Sequence, residues 1–109
     1  MAVKMRPHPD IEPAHPGDVL RQFTLPGLEL SVQEAAAAMK IARQMVSRLI
    51  NKQVGITPDM AIRLGRLCGN RPAFWLDLQN AYDLWHAERE KRAEYATIRC
   101  RQGKTAKAA

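Results

Sequence analysis

What the chain has little of narrows it first. Among its 109 residues are only two cysteines, Cys68 and Cys100, far apart and with no metal-ligand spacing around them. That pattern excludes a disulfide-stapled secreted scaffold. It suits a cytoplasmic thiol pair, with Cys68 a small buried hydrophobe and Cys100 a tail thiol. No apolar run approaches the ~20 residues that cross a bilayer, and the N-terminus has no signal-peptide core. A cytoplasmic protein without a membrane partner is expected. The three histidines, His8, His15 and His86, share no ligand spacing. No glycine-rich phosphate loop or nucleophile motif is present. The expectation is therefore no catalysis, no metal and no cofactor. Strand-like alternation and internal repeats are also missing.

What is there begins with an uneven charge. The chain carries a formal +6, but residues 1–30 sum to −1 and residues 72–87 to −2. Residues 31–71 hold Lys40, Arg43, Arg48, Lys52, Arg63, Arg66 and Arg71 against Glu34 and Asp59, a net +5, and residues 88–109 add +4. A positive field concentrated on the middle of the chain and on its tail points to a polyanion such as DNA.

The length fits one domain that can bury its core unaided. Residues 1–14, with Pro7, Pro9 and Pro13, predict a flexible arm. Residues 15–95 predict the folded unit, and 96–109 a basic flexible tail. Pro16 suits a first helical position and Asp18 a first turn, after which Val19, Leu20 and Phe23 form one apolar face until Pro26-Gly27 stops the helix. Ser31 and Glu34 form a capping box opening an alanine-rich helix, Val32 to Met39, that ends near Lys40. A further helix, about Ala42 to Asn51, turns Met45, Val46, Leu49 and Ile50 inward. After a loop, Thr57-Pro58 caps a fourth helix with the buried stripe Met60, Ala61, Leu64, Leu67 and Cys68, closed by Gly69-Asn70. Pro72 opens the last and longest helix, where Trp75, Leu78, Tyr82 and Trp85 recur at three- and four-residue steps. The fold class is all-α, a five-helix bundle.

The second and third helices have the spacing of a helix-turn-helix. Ala35 and Ala36 are small enough for a close crossing, and Met39, Ile41, Val46 and Leu49 supply the apolar contacts. The exposed polar residues cluster at the start of the third helix, the end that enters a major groove. Arg43 and Arg48 can each donate two hydrogen bonds to guanine, and Gln44 can pair similarly with adenine. Ser47, Asn51 and Lys52 are better placed for phosphates, which fix register. An αα-hairpin with a merely solvated Arg/Gln face has the same spacing, and the localised charge favours DNA over it.

The stretch Arg43-Gln44-Met45-Val46-Ser47-Arg48-Leu49 resembles the recognition helix of phage-repressor-like proteins. Further on, Gly55-Ile56-Thr57-Pro58-Asp59-Met60-Ala61, then Pro72-Ala73-Phe74-Trp75-Leu76-Asp77-Leu78-Gln79 and Tyr82-Asp83-Leu84, are similar to the HigA antitoxin family. So is the opening His15-Pro16-Gly17-Asp18-Val19-Leu20. This resemblance covers about residues 15–86 and implies a lambda-repressor-like helix-turn-helix fold. It further implies a dimeric antitoxin that binds its own operator, represses its operon and neutralises a HigB toxin, a ribosome-dependent mRNA endonuclease. Carried onto this chain, it gives base reading to Arg43, Gln44 and Arg48. It gives backbone contacts to Gln33, Ser47, Asn51, Lys52 and the amide end of the helix beginning at Thr57.

The chain departs from the family pattern at three places. Lys40 stands where glycine is usual, and a left-handed backbone there costs a non-glycine residue roughly 1–2 kcal/mol. Ala42 replaces the usual Ser or Thr, so the recognition helix loses a side-chain cap typically worth ~1 kcal/mol. Lys52-Gln53 replaces a usual Gly-Lys turn.

On the last helix, Trp75 and Leu78 read as bundle packing. Tyr82 and Trp85 lie further out and are expected to form a symmetric dimer contact, which would space two recognition helices along a palindrome. The tail cations Arg99, Arg101, Lys104 and Lys107 fit either phosphate contacts or solvated disorder. Two other readings stay open: a stand-alone repressor without a toxin, and a protein-interaction module that does not bind DNA.

Overall fold

The computed structural model describes residues 11–101. Residues 1–10, most of the expected arm, and residues 102–109, which include Lys104 and Lys107, lie outside the described residues. Every regular element among the described residues is helical. The first rod is three pieces in unbroken right-handed backbone: α1 (Pro16–Val19), a π-helical turn (Leu20–Thr24) and α2 (Leu25–Leu28). It starts as the sequence dictates, with Pro16 at the first helical position and the His15 imidazole Nδ1 accepting from the Gly17 amide at 2.9 Å.

Two expectations for this rod need correction, and the π turn explains both. Pro26-Gly27 does not stop the helix, which runs on to Leu28 and ends on left-handed Glu29. In the wider turn the Leu25 amide bonds five residues back, to the Leu20 carbonyl. A proline just beyond it falls in the first turn of a renewed α segment, where a missing N–H does little harm. Phe23 does not join the apolar face either; it is 68% exposed. The same widening gives Leu20 a partner five residues on, Leu25, and both are buried.

The next elements match the sequence closely. α3 (Val32–Met39) opens with both halves of the capping box: Ser31 Oγ accepts from the Glu34 amide at 3.0 Å, and Glu34 Oε1 from the Ser31 amide at 2.9 Å. It closes on Lys40, and the Ile41 amide reaches back to the Ala36 carbonyl at 3.0 Å. α4 (Arg43–Ile50) buries Val46 and Leu49. Met45, expected inward, is 37% exposed, because it lies roughly a quarter turn off the line through Val46, Leu49 and Ile50. α5 (Pro58–Cys68) is capped by Thr57 Oγ1, which accepts from the Met60 amide at 3.2 Å, and ends on left-handed Gly69.

α6 (Pro72–Glu90) is the longest element but not the last. It passes Trp85 into the charged stretch, and α7 (Arg92–Ala96) follows Lys91, so the described residues form six helices if the first rod counts as one. The core gathers Leu20 and Leu25 with Ala35, Ala36 and Met39, Val46 and Leu49, Met60, Ala61 and Leu64, and Trp75. Ile56 joins it from the loop before α5. Within the α5 stripe, Leu67 and Cys68 are half-buried, and burial raises the Cys68 thiol pKa. Cys100 is exposed.

Candidate nucleic-acid interface

The helix-turn-helix is α3, the turn Lys40–Ala42 and α4. Close packing between α3 and α4 rests on Ala35 and Ala36, which are buried where the helices meet. On the opposite face of α4, Arg43, Gln44 and Arg48 are exposed, Ser47 is half-buried, and Asn51 and Lys52 follow exposed in the next turn. Gln33 is exposed in the first turn of α3. Thr57 is exposed as a residue, but its hydroxyl is committed to capping α5. One surface thus brings together Arg43, Gln44 and Arg48, with the other polar residues at neighbouring helix ends.

The departures at the turns are visible in the backbone. Lys40 is left-handed, with φ 60°, and so is Lys52, with φ 61°. Each closes a helix: Ile41 bonds the Ala36 carbonyl after α3, and Gln53 bonds the Arg48 carbonyl at 2.8 Å after α4. Ala42 is extended and provides no side-chain cap for α4.

Several residues hold this surface in place through long-range contacts that neither periodicity nor spacing assigns to them. Gly17 is one. A Cβ there would lie 1.9 Å from the Leu49 carbonyl oxygen, so only glycine lets α1 seat on the last turn of α4. The ion pair between Asp18 and Lys52, at 3.5 Å, ties α1 to the turn that follows α4. Lys52, expected at a phosphate, therefore also has a carboxylate of its own chain beside it.

Arg63 is a second. It enters the sequence reading only as one cation of the positive field. Its Nη1 donates to the Met39 carbonyl at 2.7 Å and, more distantly, to the Lys40 carbonyl at 3.4 Å, while Nε donates to Asp59 Oδ2 at 2.9 Å. Gln79 is a third, a buried polar residue within an apolar stripe. Its Oε1 accepts from the Ile56 amide at 2.7 Å and its Nε2 donates to Asp83 at 3.0 Å, which pins the loop after α4 to α6. Nothing in the periodicity of α6 marks Gln79 as inward except its position four residues after Trp75.

The outer half of α6 is partly covered by the chain itself. Tyr82 is half-buried, its ring edge-on to His15 at 4.8 Å and 4.3 Å from His86. Trp85 is half-buried, with the Arg89 guanidinium carbon 3.8 Å from its ring centroid. His86 Nε2 lies 2.5 Å from Glu12 Oε2, drawing the segment ahead of α1 onto α6. Burial pushes the His15 pKa below its usual 6.5; Lys52 adds to that, and Asp18 and Asp83 oppose it. A neutral imidazole is what the cap requires, since Nδ1 must accept. Among the described residues no group of three or more His, Cys, Asp or Glu is placed to hold a metal ion, and no helix is long and apolar enough to cross a membrane.

No family model matches the chain. It is 40% identical over 97 residues to the uncharacterized helix-turn-helix-type transcriptional regulator YddM of Escherichia coli K12, covering 89% of this chain and 95% of that protein. It is 40% identical over 73 residues to antitoxin HigA-1 of Vibrio cholerae, covering 67% of this chain and 69% of that antitoxin. Among solved structures, the Pseudomonas aeruginosa antitoxin HigA with the higBA promoter superposes with a TM-score of 0.77 at 35% identity, over 81% of this chain and 97% of that one. These relatives are regulators and antitoxins rather than enzymes. By sequence and by fold, the chain belongs to the HigA antitoxin family of helix-turn-helix proteins.

Proposed function

We propose that this chain is a homodimeric, cytoplasmic antitoxin that represses its own operon by binding operator DNA and neutralises a HigB-like mRNA endonuclease. The observation that carries the DNA part is the outward face of α4. Arg43, Gln44 and Arg48 are all exposed on a helix braced from behind by α1, where Gly17 lies against the Leu49 carbonyl. In this reading those three side chains read base edges in the major groove, the arginines at guanine and the glutamine at adenine. Gln33, Ser47, Asn51 and Lys52 hold the sugar-phosphate backbone, as do the amides at the start of α5. The unit that does this is residues 15–95. The Pseudomonas relative solved with its promoter supports the assignment.

The test uses a duplex cut from the DNA just upstream of this chain's own reading frame. Wild type is expected to bind it with an affinity that falls steeply as salt is added, because neutralised phosphates release counterions. The combined change Arg43→Ala, Gln44→Ala and Arg48→Ala should cost about 3 kcal/mol or more, given roughly 1–3 kcal/mol for each bidentate contact. It should still co-purify with the product of the neighbouring reading frame. A triple variant that binds the duplex like wild type removes α4 as the reader.

A stand-alone repressor is the second reading, favoured by the naming of YddM as a transcriptional regulator. A small basic protein of about 90–100 residues encoded next to this chain, and held by it on purification, would decide for the antitoxin. The size expected for that partner comes from the family resemblance, and a helix-turn-helix domain alone does not require it.

A further inference from the structure

Arg63 differs from Lys52, the cation of the positive field that pairs with Asp18, because its donors go to backbone carbonyls as well as to a carboxylate. The last carbonyls of an α-helix have no partner within the helix. At the end of α3 the Ala36 and Ala37 carbonyls are taken by the amides of Lys40 and Ile41. The Met39 and Lys40 carbonyls instead accept from Arg63 Nη1. They belong to the turn that launches α4, and that turn has two local weaknesses. Lys40 holds a left-handed backbone without being glycine, and Ala42 gives α4 no side-chain cap. Both leave the start of α4 under-determined by its own residues. Arg63 reaches it from α5, with its guanidinium fixed at the other edge by Asp59.

We infer that Arg63 is a positioning residue for DNA reading, clamping the Met39–Lys40 carbonyls so that the strained turn presents the first residues of α4 at one fixed angle. This rests on the DNA-binding reading above. Arg63 itself touches no DNA in this account. A lysine cannot replace it, because a single ammonium lacks the planar fork that serves Asp59 and the turn carbonyls at once. The side chain lines a surface groove of about 420 Å³ with Lys40 and Ile62, so a methionine has room there without a clash.

The experiment compares wild type, Arg63→Met, Arg63→Lys, Lys40→Gly and the double variant Lys40→Gly/Arg63→Met. Each is titrated against the upstream duplex and against a scrambled duplex of the same length, at a temperature where circular dichroism shows the protein folded. Arg63→Met should weaken the upstream duplex about tenfold, within the range of couplings between contacting groups. Binding to the scrambled duplex and the salt slope should stay as in wild type, because no phosphate contact is lost. Arg63→Lys should be as weak as Arg63→Met. Glycine at position 40 relieves the strained backbone, so Arg63→Met should weaken binding less in the Lys40→Gly background than in wild type.

The inference is overturned if Arg63→Lys binds like wild type while Arg63→Met lowers the salt slope by about one, since that is a phosphate contact. It is equally overturned if Arg63→Met binds the upstream duplex as tightly as wild type, or if the effects of Lys40→Gly and Arg63→Met simply add. Failure of wild type itself to bind the upstream duplex removes the DNA-binding reading and this inference with it.

Discussion

His15 does its work at one imidazole with two faces. Nδ1 accepts the Gly17 amide and so begins α1, while the ring packs against Tyr82 of α6. The groups around it are Asp18 and Lys52 on one side and Asp83 with Tyr82 on the other. Protonation removes the acceptor, and burial already holds the native pKa below 6.5. The unfolded chain therefore binds this proton more readily than the folded one, and stability rises with pH across the interval. The contribution is complete above about pH 6.5 and is lost as pH falls from there through the lower native value. Urea midpoints measured between pH 7.5 and 5 should decline, and His15→Asn should flatten that decline, because asparagine caps a helix without titrating. An unchanged slope in His15→Asn would place the pH response elsewhere.

At the scale of elements, α4 depends heavily on its neighbours. It has eight residues, no cap from Ala42, and left-handed lysines just before and just after it. Ala42→Ser should supply the missing acceptor and raise stability by about 1 kcal/mol, read as a shift of the thermal midpoint. No shift would mean that Arg63 already fixes this end.

The same helix marks how far the sequence could be read. Its existence, its buried Val46 and Leu49 and its polar face follow from a period of 3.6, and the capping box of α3 follows from two residues three apart. Long-range supports leave no such trace. Arg63 looks like any exposed cation, Gln79 like a polar interruption, and Gly17 like a residue beside a proline. Their roles depend on elements 23 to 32 positions away along the chain, as the Arg63, Gln79 and Gly17 contacts attest. The π turn was also illegible, because a regular period placed Phe23 on the apolar face.

At the scale of the whole molecule, one domain presents one α4, whereas a palindromic operator offers two half-sites a helical turn apart. A second copy is expected along the outer part of α6, where Leu84 is 61% exposed beside half-buried Tyr82 and Trp85. Sedimentation at micromolar concentration should give twice the 12.3 kDa chain mass. A monomer under those conditions would leave each half-site to be bound independently, without the gain that joining two binding events provides.

The five-residue turn at Leu20–Thr24 has one consequence for change along this chain. It contains one residue more than an ordinary helical turn needs, so the phase of α2 is set by that surplus. Removing a single residue there would leave Pro26 inside an ordinary α-helix, where its ring and missing N–H disrupt the ladder, and would rotate α2 by about 100°. Leu25 would swing out toward water and its neighbours inward. A one-residue deletion in this segment is therefore more disruptive than most single substitutions, because it disturbs both the backbone at Pro26 and the apolar face that Leu25 completes.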